Sequence, residues 1–196
     1  MFKTGDESNL MDAALETLKG KLLLDGGKLA GSFFHRAVVL ICEHNSEGAM
    51  GLVLNKETEN QLAEVLPEEV PDILGEERLY LGGPVQTTAL SFVYSPKAPD
   101  AFNVLPGLSI GHDLDTLLPL AQKPEKKPSL RVFAGYAGWS AGQLESEMER
   151  DAWVVHPATA EWVFSEPASA LWHRILMAKG GAFRLIAEAP DDLSTN

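Results

Sequence analysis

The sequence holds a single cysteine, Cys42, so no internal disulfide framework can form, and this suits a reducing cytoplasm. No apolar run approaches the roughly 20 residues that span a bilayer. The first twenty residues carry early acids and no apolar stretch of the secretory kind. Bases are scarce, 16 against 28 acids, for a net charge of −12. Contact with phosphate needs a positive surface, so nonspecific attraction to DNA, RNA or anionic lipid is not expected. Cations concentrate only at 123–127 (KPEKK), which with its prolines reads as a solvated loop. Repeats and low-complexity runs are missing as well. What is there is an ordinary globular composition, 45% hydrophobic and 22% charged, with enough chain for one domain.

The chain is organised around 130–153, LRVFAGYAGWSAGQLESEMERDAW. Residues 130–137 predict a buried strand, broken by Gly135 and Gly138. Ser140 and Gln143 make a capping-box pattern that predicts a helix beginning there. On that helix Leu144, Met148 and Ala152 share one face. Glu145 and Glu149 flank it on one side, Glu147 and Asp151 on the other. Upstream, 12–19 predicts a short helix in an N-terminal extension (1–20) that precedes the main domain (21–196). Residues 37–43 and 49–54 predict a β-hairpin around the turn His44-Asn45-Ser46-Glu47-Gly48. Further strands are expected at 21–25, 78–81, 89–94, 108–111 and 153–156, with 102–107 a loop or edge strand. Short helices are expected at 61–66, 70–74, 114–121, 158–164 and 168–179. Residues 183–186 form a last apolar stretch. Strands and helices do not alternate, and hairpins are local. The class is therefore α+β, with a mixed, largely antiparallel and strongly curled sheet.

Five constellations could carry chemistry. Residues 138–142 read G-x-S-x-G between a predicted strand and helix, the context of a nucleophile elbow. Asp151 and then His156 or His173 follow Ser140 in the order a serine hydrolase uses. Against this, little chain remains after Ser140, and the βαβ alternation of that fold is missing. The plainer reading makes Ser140 an N-cap. Cys42 and His44 are two apart on a strand, so they should share a face. With His112 or His156 they could ligate a metal, but the paired spacing of zinc motifs is missing; no metal and no cofactor is expected. Gly82-Gly83-Pro84 reads as a tight, backbone-exposing turn that could offer N–H groups to an anion. It is no P-loop, and a structural turn is the simpler reading. Glu145, Glu147, Glu149 and Asp151 read as solvated flanks rather than acid–base pairs. Trp139, Trp153, Trp162 and Trp172 read as packing rather than base-stacking platforms.

Several segments together resemble the AlgH/YqgE-like family of small bacterial proteins. They are Phe34-His35-Arg36-Ala37-Val38-Val39, Cys42-Glu43-His44-Asn45, the run from Gly48 through Asn55, and Leu81-Gly82-Gly83-Pro84-Val85. Gly135-Tyr136-Ala137-Gly138-Trp139, Gly142-Gln143-Leu144-Glu145, Trp153 and Leu171-Trp172 follow in order. The chain departs from the family where a proline usually stands near Gly27, and an Asp-Pro pair at Gly31-Ser32. The resemblance implies a single α+β domain with a bifurcated sheet, partly closed into a barrel and surrounded by helices, in the cytosol. The family's namesake is described as a transcriptional regulator, but the resemblance implies no chemistry. The expectation leans away from an enzyme, towards a binding or regulatory protein acting through a protein partner or a small ligand. A small serine hydrolase is the alternative. The expected binding surface is His44, Asn45, Gly82, Gly83, Tyr136 and Trp139. No oligomeric state is read from the sequence.

Overall fold

A computed structural model describes residues 17–66, 70, 72–95, 102–113, 115 and 129–190. Its strands are β1 (Lys21–Asp25), β2 (Val38–Asn45), β3 (Gly48–Val53), β4 (Glu57–Gln61), β5 (Arg78–Leu81), β6 (Val85–Ser95), β7 (Phe102–Leu105), β8 (Leu108–Gly111), β9 (Ser129–Ser140) and β10 (Trp153–Pro157). Its helices are α1 (Leu62–Val65), α2 (Asp72–Gly75), α3 (Gln143–Glu149), α4 (Ala160–Val163), α5 (Leu171–Lys179), entered through a 3-10 turn at Ala168–Ala170, and α6 (Ala182–Glu188).

The strands run β10-β1-β2-β3-β9-β6-β8-β7, with β5 also on β9, and β4 on β5. β9 is the shared strand. Its first half lies between β6 and β5, with Phe133 beside both Ser91 and Tyr80. Its second half pairs with β3, from Gly51↔Ala137 to Gly48↔Ser140. The sheet forks there, because β5 and β3 occupy the same edge of β9 in succession. Only the β5–β9 pair is parallel among the described strands. The whole is a mostly antiparallel sheet curled into a half-barrel with several helices. The curl is visible in side chains: β9 and β10 are four strands apart, about 19 Å in a flat sheet. Yet the Trp139 and Trp153 rings lie 6.0 Å apart.

Three apolar clusters follow from the alternation of the strands. Leu22, Leu24, Leu40 and Leu52 face the α4–α6 layer, where Leu171, Trp172, Ile175 and Leu176 cover them. Leu23, Val39, Ile41 and Val53 line the inside of the curl, with Leu144 of α3 above them. Phe92, Tyr94, Leu130 and Val132 meet Leu62 and Leu74 of α1 and α2. The connection from β1 to β2 hangs on the buried carboxylate of Asp25. Its Oδ1 accepts the N–H groups of Gly27, Lys28 and Leu29, and its Oδ2 that of Arg36.

The hairpin, the strands at 21–25, 78–81 and 108–111, and the edge strand at 102–105 stand where the sequence places them. Other expectations need correction. β9 is not broken at its glycines and runs on to Ser140. Gly135 instead takes φ +70° opposite an irregular stretch of β6 between Val85 and Leu90. The helix begins at Gln143 rather than Ser140, after Gly142 at φ +73°. β4 was not expected, and 183–186 belongs to a helix. The predicted helix at 12–19 lies outside the described residues up to 16, and 17–19 are not helical. The helix at 114–121 and the basic loop at 123–127 lie outside the described residues, save for Asp115.

Candidate functional site

α3 is clamped onto the mouth of the curl. Gln143 Oε1 accepts the Ser140 N–H, a contact between the first helical residue and the end of β9 that fixes the entry to the helix without being the expected capping box, since Gly142 is the N-cap. One turn later Glu147 Oε2 accepts both the Trp139 indole N–H (2.9 Å) and the Trp153 indole N–H (2.7 Å). Phe34 fills the angle between the two rings, at 6.2 and 5.7 Å. Glu145 Oε1 lies 2.7 Å from His44 Nε2, while His44 Nδ1 accepts the Leu18 N–H at 3.0 Å. An acceptor at Nδ1 assigns the proton to Nε2, which therefore donates to Glu145. Burial would raise the Glu145 pKa, but its own backbone N–H and His44 outweigh that and hold the carboxyl below its usual range. Every polar atom of this clamp named here has an internal partner.

A second set of polar groups surrounds open space. Arg131, on β9, is buried at 3% exposure. Its Nη1 donates to Leu54 O (3.0 Å), and its Nη2 to Ser165 O and Glu166 Oε1 (both 2.6 Å). Its guanidinium lies 4.8 Å from the centre of the Tyr80 ring. The Tyr80 hydroxyl donates to the same Glu166 oxygen at 3.3 Å. Burial pushes the Tyr80 phenol up to about 12, opposed by Arg131 and reinforced by Glu166 and Glu57. It therefore stays a hydrogen-bond donor at neutral pH. At the rim, Arg78 Nε pairs with Glu57 at 3.1 Å. These groups, with Glu76, Glu77 and Phe164, wall a cleft of about 510 Å³. The elements that make it are β4, β5, the start of β9 and the turn after α4.

Residues 22–184 match the sequence profile of DUF179, described as AlgH-like. The chain belongs to the AlgH-like family. It is 41% identical over 187 residues to a UPF0301 protein of Chlorobaculum parvum, covering 92% of this chain and 97% of that one. The solution structure of the AlgH protein from Pseudomonas aeruginosa superposes with a TM-score of 0.68 at 31% identity, covering 97% and 98% of the two chains. A crystal structure of a protein from Corynebacterium diphtheriae gives a TM-score of 0.73 at 25% identity, covering 94% of this chain and all of that one. These likenesses give the AlgH-like chain its fold and name no reaction.

The residues expected to bind in this AlgH-like chain are strung along the second half of β9. His44, Ala49 and Trp139 stand side by side across β2, β3 and β9. His44 and Trp139 belong to the α3 clamp. Asn45 is exposed, and its Oδ1 accepts the Glu47 N–H. Tyr136 lies over Gly138, where an added Cβ would meet its ring at 3.3 Å. Gly82 and Gly83 are not backbone-exposing: both are buried, and the Gly82 N–H is bonded to Ala134 O at 2.9 Å. Glu145 and Glu147 are likewise not solvated flanks but hydrogen-bonded anchors, whereas Glu149 and Asp151 are exposed.

Ser140 is exposed at the end of β9, beside Gly48. Asp151 is exposed near Lys28, His156 packs edge-on against Trp162, and His173 is exposed on α5. Among the described residues no hydrogen bond joins any of the three to Ser140. Cys42 and His44 do not share a face. An irregularity in β2 between Ile41 and Glu43 turns Cys42 into the helix-facing core and His44 towards α3. Trp139, Trp153 and Trp172 are packed in the interior, and Trp172 donates to Asp25 O at 3.0 Å. Trp162 is half-buried, with Arg174 over its ring at 5.7 Å.

The cleft residues were missed in the sequence. Arg131 was a charge inside a strand that otherwise reads as apolar, and that mismatch was the available signal. Nothing local in Tyr80, Glu57 or Glu166 announces their convergence.

Proposed function

We propose that this AlgH-like chain is a non-enzymatic binding protein of the cytoplasm, acting through a small polar ligand held in the Arg131 cleft. The observation that carries the reading is a guanidinium buried within a sheet at the floor of a cleft. Arg131 is 3% exposed while its partner Glu166 is 59% exposed at the cleft, and a buried charge is costly to desolvate, so its presence beside open space points to recognition. The cleft volume lies in the range of small-molecule sites. Tyr80, whose proton is held by Glu166, offers a fixed acceptor oxygen, Glu166 and Glu57 offer further acceptors, and Arg78 offers a cation at the rim. A ligand carrying both donors and acceptors is the complement of that wall. A regulatory role would then run through ligand occupancy or a partner protein, not through wrapping DNA, which a net charge of −12 opposes.

The test is a thermal-shift screen of amino acids, small amines, nucleotides and sugar phosphates, followed by calorimetric titration of each hit. Arg78→Ala and Glu57→Gln alter the rim without touching the buried guanidinium. The reading predicts that both weaken a genuine hit by about tenfold, the scale of one charged hydrogen bond. A hit whose affinity neither variant changes contradicts it.

A further inference from the structure

Strand β10 ends the sheet, and a groove runs along its outer edge, where Val155 is half-buried and Trp153 is 4% exposed. The backbone polarity of that edge follows from three hydrogen bonds. Gly26 N–H donates to Ala152 O at 2.9 Å, and Ala158 N–H donates to Gly20 O, so residues 152 and 158 face β1. Lys179 Nζ donates to Val155 O at 3.0 Å from the other side. In an extended strand the N–H and C=O of one residue point the same way, and the direction alternates. Trp153, Val155 and Pro157 therefore direct their backbone groups away from β1. Pro157 has no N–H to offer. Among the described residues, the Trp153 N–H and C=O and the Val155 N–H have no partner across this edge, and the Val155 C=O has only a lysine.

The groove along this edge has a volume of about 420 Å³. Val154, Phe183 and Ile186 give it an apolar wall, and Lys28 and Lys179 give it two cations. One carboxylate, Asp151, stands at the rim, 3.6 Å from Lys28. A surplus of positive charge is unusual on a chain with a net charge of −12.

We propose that this edge is a docking site for an extended, acidic segment of a partner protein, added to the sheet as a further strand next to β10. Backbone bonds to Trp153 and Val155 supply the pairing, and displaced Lys179 is freed to meet a carboxylate on the incoming strand. Side chains on one face of that strand rest on Phe183 and Ile186. The site is separate from the Arg131 cleft, so neither reading depends on the other.

The test uses the full chain, labelled with nitrogen-15, and the capped hexapeptide acetyl-Glu-Val-Glu-Val-Glu-Val-amide. The acidic peptide is expected to shift the amide signals of Trp153, Val155, Phe183 and Ile186. Val155→Pro removes an outward N–H and leaves the β1 ladder its bonds, so it should abolish those shifts. Lys179→Glu, which leaves the backbone alone, should weaken binding by about tenfold and guards against a folding defect in the proline variant. Four results would overturn the proposal. They are no shifts at roughly 2 mM peptide, well into the weak-binding range; equal binding of the lysine counterpart; β10 shifts that change with protein concentration alone, which would assign the edge to a second copy; and β10 shifts on truncation after Pro190, which would assign it to the chain's own tail.

Discussion

One oxygen of Glu147 accepts two indole N–H groups, and both belong to tryptophans buried in the curl. Removing it leaves two buried donors without a partner. Glu147→Ala should cost roughly 2–4 kcal/mol of stability, while Glu147→Gln, which keeps an acceptor, should cost about 1 kcal/mol. Urea unfolding monitored by tryptophan fluorescence reads both. Tyr80 makes a pH prediction. Its folded pKa is raised from 10.0 to about 12, above the unfolded value. Its contribution is therefore complete below pH 10 and is lost as pH rises towards 12. Thermal stability should decline over that window, and Tyr80→Phe should make the decline shallower; an unchanged slope in the variant would contradict the assignment. Cys42 is buried with its thiol pKa driven up, first by burial and then by Glu43. It should stay unreacted with thiol reagents in the native protein and react on unfolding.

Elements meet most closely where the β5–β6 turn passes under β9. A Cβ on Gly83 would lie 2.0 Å from the Tyr136 carbonyl carbon, so the turn and the strand cannot both stay in place. Gly83→Ala should cost roughly 3 kcal/mol or more. Gly142 makes the contrast, with φ +73° but nothing within 4 Å of an added Cβ. Gly142→Ala should cost only about 1 kcal/mol, the strain of the left-handed conformation. Differential scanning calorimetry of the two variants separates close packing from backbone strain. The same contrast explains what could be read from the amino acids. The β2–β3 hairpin was legible because two apolar runs flank a polar turn with glycine. β9 was read as shorter than it is because a glycine suggests a break, when here Gly135 absorbs an irregularity in the facing strand. β4, Glu57–Gln61, was illegible because among the described strands it pairs only with β5, and it shows no apolar alternation. The shared face expected of Cys42 and His44 failed on a register shift that no local pattern announces.

At the scale of the molecule, the half-barrel draws Phe34, Trp139 and Trp153 into the curl, while the polar cleft is built around Arg131, Tyr80 and Glu166 elsewhere on the sheet. The expected binding segments were brought side by side by β9, but His44 and Trp139 became part of the support for α3. The cleft gathers β4, β5, β9 and the turn at Glu166, which are distant in sequence, so spacing along the chain could not reveal it. Among the described residues no helix is long and apolar enough to cross a membrane. The central claim is that small-ligand binding, not covalent catalysis, occupies this fold. The most direct measurement is a nitrogen-15 chemical-shift map of the protein with the strongest hit of the thermal-shift screen, with a fluorophosphonate probe applied in parallel. The account predicts shifts centred on Arg78, Tyr80, Arg131 and Glu166, and no covalent label. Shifts centred elsewhere, or a label that Ser140→Ala abolishes, would contradict it.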